Sequence, residues 1–255
     1  MNNIWSLARK EIRTYFGSPI AYAVISVFLL LGGFFFYNLV WWFNTQAMEA
    51  SQNPYYYQQL NINQMVFSPL FHNLSIVLLL VIPLLTMRLL AEEKKIGTEE
   101  LLFTSPLSVP QIILGKYLAA LFVLLVMLLS TGLLTAITFA YGNPELAPVL
   151  TGYLGLFLMG AAFISVGIFF SSLTENQIVA AVLTFGTLLL FLVLNWASYS
   201  AGGMWKGVLN YVSFFQHFDG LTQGMLDTQD LVYYASFAFF GLFLTHSVIQ
   251  SRRWR

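Results

Sequence analysis

The 255-residue sequence contains no cysteine. No disulfide, thiolate metal site or catalytic thiol can therefore be built from it. Charge is also scarce: 9% of residues are charged, against about 25% in ordinary soluble domains. Basic and acidic side chains balance at 11 each, which gives no sign of a nucleic acid or other polyanionic partner. Histidine occurs only at His72, His217 and His246. Neither H-E-x-x-H nor G-x-S-x-G surrounds any of them, so a membrane-embedded hydrolase lacks its residues. A phosphate loop is missing too, because Gly115-Lys116 is followed by Tyr117 and has no upstream glycine at the required spacing. The first apolar run is longer than a secretory signal core of ~7–15 residues, and no A-x-A site follows it. No lipidation motif, internal repeat or low-complexity tract interrupts the chain.

What the chain has in abundance is apolar sequence, 58% of residues, in runs long enough to cross a hydrocarbon core as helices. Six spans fit: Ile20–Phe43, Leu70–Leu90, Ile112–Tyr141, Leu150–Phe170, Ile178–Trp196 and Leu231–Ile249. Pro83 falls inside the second, where it is expected to kink the helix. Arg9, Lys10 and Arg13 precede the first span. Arg88, Lys94, Lys95 and Lys116 lie in or beside the connection after the second, and Arg252, Arg253 and Arg255 follow the last. Lys206 alone falls on the other side. Asymmetry of Lys and Arg fixes orientation, so both termini and the loop around Lys94 are expected in the cytoplasm. His72 and His217 then share the outer face while His246 lies near the inner one, which separates them as metal ligands. Trp41, Trp42, Tyr141, Trp196, Tyr199, Tyr233 and Tyr234 fall at the outer ends of spans, as an interfacial belt does, with Trp5 and Trp254 at the inner ends.

The segments between spans differ in character. Over Ile4–Phe16, a helical wheel gathers Ile4, Trp5, Ala8, Ile12, Tyr15 and Phe16 on one arc, with Ser6, Arg9, Lys10 and Arg13 opposite. Residues 1–19 therefore read as an interfacial helix whose cations face lipid headgroups, although Glu11 sits at the apolar edge and disturbs the pattern. A plain basic flank that sets topology is the alternative. Residues 44–69 read as a short folded outer loop. Residues 197–230 are semi-apolar and broken by Gly, Ser and Asn, which suggests a re-entrant or interfacial pair of short helices. The fold class expected is thus all-α and integral to the membrane: one transmembrane domain over residues 1–255, six spans, an N-terminal interfacial helix and an outer re-entrant segment before the last span.

Residues 91–106 form the one substantial cytoplasmic loop. It runs through a mixed-charge stretch, a break at Gly97 and a brief helix, with Thr98 as N-cap and Glu99 and Glu100 in its first turn. Leu101, Leu102 and Phe103 give that helix an apolar surface suited to a partner's groove, and Pro106 stops it. A solvated turn whose leucines pack on the bundle fits the same residues. Ala91, Glu92, Glu93, Lys94, Lys95, Gly97, Thr98, Glu100, Leu102, Ser105, Pro106, Gly115 and Lys116 follow the pattern A-E-E-[KR]-[KR]-x-G-T-x-E-x-L-x-x-[ST]-P…G-K-x-[LA]. In this the chain resembles the permease subunits of type-2 ABC transporters. The opening Ala8–Ile20 and the late His217–Asp230 are similar to the gliding-motility type of these permeases.

The resemblance implies a permease of an ABC exporter, a dimer with a second copy or a related membrane subunit, driven by a separate ATPase that binds ATP and Mg. It makes Thr98–Phe103 the coupling helix seated on that ATPase, with Glu92, Glu93, Lys94, Lys95, Glu99 and Glu100 as candidate contacts. No cofactor is expected in this chain, and an accessory membrane protein is a further possible partner. A non-transporting membrane subunit of an ATPase-driven envelope-remodelling complex would use the same loop. Within the spans, Asn38, Thr135, Thr138, Thr184, Thr187 and Asn195 are candidates to line a path, or simply bond helix to helix or to their own backbone. Ala161-x-x-x-Ser165 and Gly167-x-x-x-Ser171 pair small residues for close helix packing. No charge is expected deep in a span, which argues against an ion-coupled transporter.

Overall fold

The computed structural model describes residues 2–51, 60–98, 107–200 and 202–253. These form helices throughout, without a strand among the described residues. They are α1 (Asn2–Gly17), α2 (Pro19–Ala50), α3 (Ser68–Thr86), α4 (Arg88–Ile96), α5 (Val109–Tyr141), α6 (Leu146–Leu173), α7 (Gln177–Ser200), α8 (Gly203–Val212), α9 (Phe214–Thr222) and α10 (Thr228–Arg253). A π-helical turn, Asn63–Phe67, leads into α3. Six stretches have the length and hydropathy to cross a membrane: α2, α3 with its flanks, α5, α6, α7 and α10.

Helix α6 is the hub, packed against α3, α5, α7, α9 and α10. Its apolar character all round is that of a buried membrane helix, and Leu156, Met159, Ala162, Phe163 and Ile164 are buried on it. The exposed hydrophobic residues lie mainly on α2, α5 and α7, among them Leu30, Phe34, Leu129, Leu133, Val182 and Leu190. That is the expected surface of a bundle solvated by lipid rather than water. The small-residue pairs serve packing. A Cβ on Gly167 would lie 2.0 Å from Thr86 Oγ1, and one on Gly241 would lie 2.5 Å from Ser165 Oγ.

Several boundaries differ from the sequence expectation. The first span continues as helix to Ala50, because Gln46, Ala47, Met48 and Glu49 are all helix formers. The second passes through Pro83 and gives way at Met87, which separates α3 from α4. Ser171 on α6 repairs that break. Its hydroxyl accepts from the N–H groups of Leu90 (3.0 Å) and Ala91 (3.1 Å) and donates to the carbonyl of Met87 (3.0 Å). Three backbone groups left over by the interrupted ladder are satisfied from a neighbouring helix.

The segment before the last span contains two short helices. Helix α8 lies on α7 with Trp205, Val208 and Tyr211 exposed. Helix α9 buries Phe214, Phe215, Phe218 and Leu221. Tyr233 and Tyr234, expected in an interfacial belt, instead turn inward. Their hydroxyls donate to the carbonyls of Val212 and Phe214, both at 2.6 Å, and Tyr234 is 1% exposed. The aromatic cluster of Phe214, Phe191 and Phe237 draws them in. Trp41, Trp42, Tyr141 and Trp196 are exposed at span ends.

Candidate functional site at the basic end

Helix α1, helix α4, the start of α5 and the end of α10 lie at one end of the bundle. The first three meet around Lys116, and a groove lined by Ile113, Leu114, Phe243 and His246 joins α5 to α10. Arg9, Lys10, Arg13, Arg88, Lys94, Lys95 and Lys116 are all on the elements gathered here, whereas Lys206 is on α8 at the far end. The charge asymmetry read along the chain is thus an asymmetry in space.

Local sequence explains how α1 docks. Leu7, Ala8, Glu11 and Tyr15 are its buried residues, at helical spacing, while Arg9, Lys10 and Arg13 are exposed. The buried face is applied to α5. Gly115 makes the contact possible: a Cβ there would lie 2.9–3.0 Å from three side-chain atoms of Leu7. Trp5, placed on the apolar arc by the wheel, is exposed.

One turn from that contact is a buried charge cluster. Lys116, expected in or beside the connection, is a residue of α5 that is 1% exposed because α1 and α4 cover it. Its Nζ donates to Glu11 Oε1 at 3.1 Å and to Glu93 Oε1 at 2.7 Å. One lysine thus ties the N-terminal helix to the arm that follows the second span. Burying an ammonium costs several kcal/mol, which two charge-assisted bonds offset. The cluster carries one carboxylate more than Lys116 neutralises, and Arg88 and Lys10 line the same cavity of about 220 Å³. Arg88 lies over the Tyr15 ring, 4.5 Å from its centroid. The Tyr15 hydroxyl donates to the Leu85 carbonyl at 2.8 Å. Burial pushes the Tyr15 phenol above its ordinary value, with Arg88 opposing the shift, so the group stays a donor.

The candidate contact residues divide by direction. Glu93 turns inward to Lys116. Lys94 is 8% exposed, and its Nζ donates to the Ser172 carbonyl on α6. Glu92 lines the cavity, and Lys95 is exposed. Gly97 adopts φ 77° and closes α4. The Gly97 N–H bonds the Lys94 carbonyl at 3.1 Å, and the Thr98 N–H bonds that of Glu93 at 3.0 Å. This is a Schellman cap, for which glycine carries no side-chain penalty. Thr98 is therefore the last residue of the α4 cap. Glu99, Glu100, Leu101, Leu102, Phe103, Ser105 and Pro106 lie outside the described residues.

The candidate path residues are spread over three helices. Asn38 on α2 is exposed and donates to its own helix at Phe34. Thr138 and Thr184 are buried and donate to the carbonyls four residues back. Thr135 bonds the Tyr153 hydroxyl at 2.8 Å, from α5 to α6. Asn195 accepts from Ser213 at 2.8 Å, joining α7 to the start of α9. Thr187 is half-buried on α7. Glu11 and Lys116 are not among the candidate contact residues read from sequence, yet a signal exists: a carboxylate on the apolar arc of an amphipathic helix needs a buried cation.

A family model described as ABC-2 family transporter protein matches residues 5–249. No curated protein matches the chain. The matched stretch includes the first five spans, most of the sixth, the charge cluster and the α4 cap. Subunits of this family are multi-pass membrane proteins that work with an ATPase partner and are not themselves catalytic. The chain belongs to the ABC-2 transporter family and is a permease subunit of an ABC transporter.

Proposed function

We propose that this permease serves an exporter of the bacterial inner membrane, with both termini in the cytoplasm and a dimer of two such chains on two ATPase subunits. ATP and Mg bind in those partners. The observation that carries the reading is the bond of Lys116 to both Glu11 and Glu93. It fastens α1 and α4 to the foot of α5, so force applied to the loop after Gly97 reaches two spans and the N-terminal helix together. Closure of the ATPase dimer against residues 98–103 would then tilt these elements as one body, a hinge-or-shear motion. Glu92, Lys95, Glu99 and Glu100 supply charge at that surface, and Leu101, Leu102 and Phe103 supply apolar area. The motif at Ala8–Ile20 and that at His217–Asp230 favour the gliding-motility type.

Affinity purification of the chain from native membranes in mild detergent tests this. A stoichiometric ABC ATPase in the eluate supports the reading. Its absence under conditions that preserve ABC complexes refutes the ATPase-coupled mechanism. Transport by the reconstituted complex separates an exporter from a remodelling subunit.

A further inference from the structure

At the end of the bundle opposite Lys116, α9 is held by two histidine–aspartate pairs that point in opposite directions. His217 and Asp219 are two residues apart on this helix, about 200° around it. His217 Nδ1 meets Asp230 Oδ1 on α10 at 2.7 Å, and Asp219 Oδ1 meets His72 Nε2 on α3 at 2.7 Å. Ser68 adds a second link between α3 and α9, its hydroxyl donating to that of Thr222.

The second nitrogen of each ring decides the proton count. His72 Nδ1 lies 2.8 Å from the Ser68 carbonyl, and His217 Nε2 lies 3.0 Å from the Tyr211 carbonyl. A carbonyl oxygen and a carboxylate oxygen can only accept. A neutral imidazole has one N–H, so it would leave a lone pair facing an oxygen in each site. Both bonds form only when both ring nitrogens carry hydrogen. The carboxylates of Asp219 and Asp230 are acceptors, so the proton that completes each site sits on the ring. The surroundings suit a cation: the His217 ring stacks on Tyr233, with centroids 4.0 Å apart.

We propose that this end of the permease is a proton-closed latch, in which imidazolium forms of His72 and His217 pin α9 between α3 and α10. The titratable groups around the rings are Asp219 on α9, Asp230, Tyr233 and Tyr234 on α10, and Tyr211 on α8. Lys206 and Asp227 are exposed nearby in the chain, while α6 meets α9 through Gly155 against Phe218 and Leu221. Stability supplied by a bound proton is present while pH is low enough to keep it bound in the folded state. It is lost as pH rises through the titration of the pair. Deprotonation removes one donor from each ring, so α9, and α8 attached to it, loosen in alkali. The latch does not require the permease reading, since it concerns proton binding and local opening of this chain alone.

With three histidines in the chain, ring-nitrogen NMR of the ¹⁵N-histidine-labelled full chain in lipid nanodiscs reads the answer directly. Single His72→Asn and His217→Asn variants assign the signals. The expected result is two protonated nitrogens in both His72 and His217 at neutral pH. Asp219→Asn should return His72, and Asp230→Asn should return His217, to one N–H at that pH. Raising the pH should deprotonate both wild-type rings. Amide exchange over residues 203–222, corrected for its intrinsic pH dependence, should then rise roughly tenfold or more, the factor for losing a charge-assisted bond. A single N–H on either wild-type ring at neutral pH overturns the proposal. So does deprotonation without a change in exchange.

Discussion

Replacing Lys116 by Met removes the cation that both Glu11 and Glu93 touch in the buried cluster, while keeping a side chain of similar length. The Lys116, Glu11 and Glu93 side chains are 2%, 12% and 17% exposed, so solvent screens them little. Two carboxylate oxygens that contact one ammonium at 3.1 and 2.7 Å can be no further apart than those lengths laid end to end. At that limit, with an effective dielectric near 20, they repel by about 3 kcal/mol once the lysine is gone. Breaking a buried pair from one side costs about 3–5 kcal/mol by general experience, which agrees. Adding Glu11→Gln and Glu93→Gln to Lys116→Met removes the repulsion and should restore most of the loss. Reversible denaturation in mixed micelles measures these stabilities. ATPase stimulation in the reconstituted complex measures coupling, which should stay low in the triple variant even where stability returns. Additive effects of the three changes within about 0.5 kcal/mol would refute the reasoning, since side chains in one network must couple.

Ser171→Ala leaves Met87 O and two N–H groups without their partner, so the junction of α3 and α4 should lose about 1–3 kcal/mol, seen as faster exchange at Leu90 and Ala91. Gly115→Val drives a side chain into Leu7 and should detach α1 at a cost of about 1–3 kcal/mol. Because the chain has no cysteine, one placed at the fully buried Ala8 would report this as faster maleimide labelling. Polar replacement of Leu101, Leu102 and Phe103 should abolish coupled ATPase activity and leave the melting of the bundle unchanged. Unchanged co-purification and activity would exclude them as the docking surface.

The spans were legible because length and hydropathy are properties of a local window, and lipid imposes both. Their ends were less so, since Gln46 to Glu49 extend α2 by helix propensity where hydropathy has already fallen. The placement of basic residues along the chain carried over directly into space, with Lys206 alone at the far end among the described residues. The cluster was legible only in part. Gly115 and Lys116 stood out as motif residues, and Glu11 as a fault in a pattern. That the fault and the motif complete each other depends on α1 folding back onto α5, a contact 105 residues apart that no window contains. Tyr233 and Tyr234 misled for the converse reason. Their position at a span end fits a belt, but their partners come from α8 and α9, which local hydropathy does not place.

The position of α6 at the hub has a consequence for synthesis. Helices α2, α3 and α5 leave the ribosome before α6 exists, yet α3 and α5 are shaped to be covered by it. Between completion of α3 and completion of α6 the cell spends on the order of 10 s, at roughly 5–20 residues per second. Throughout that interval α3, with Ser75 and Thr86 that are buried in the finished fold, is without the cover of α6. Both hydroxyls donate within α3, to the carbonyls of His72 and Ile82. The span therefore carries its own hydrogen-bond partners through the wait, and membrane insertion of the first half need not await the helix that later holds it.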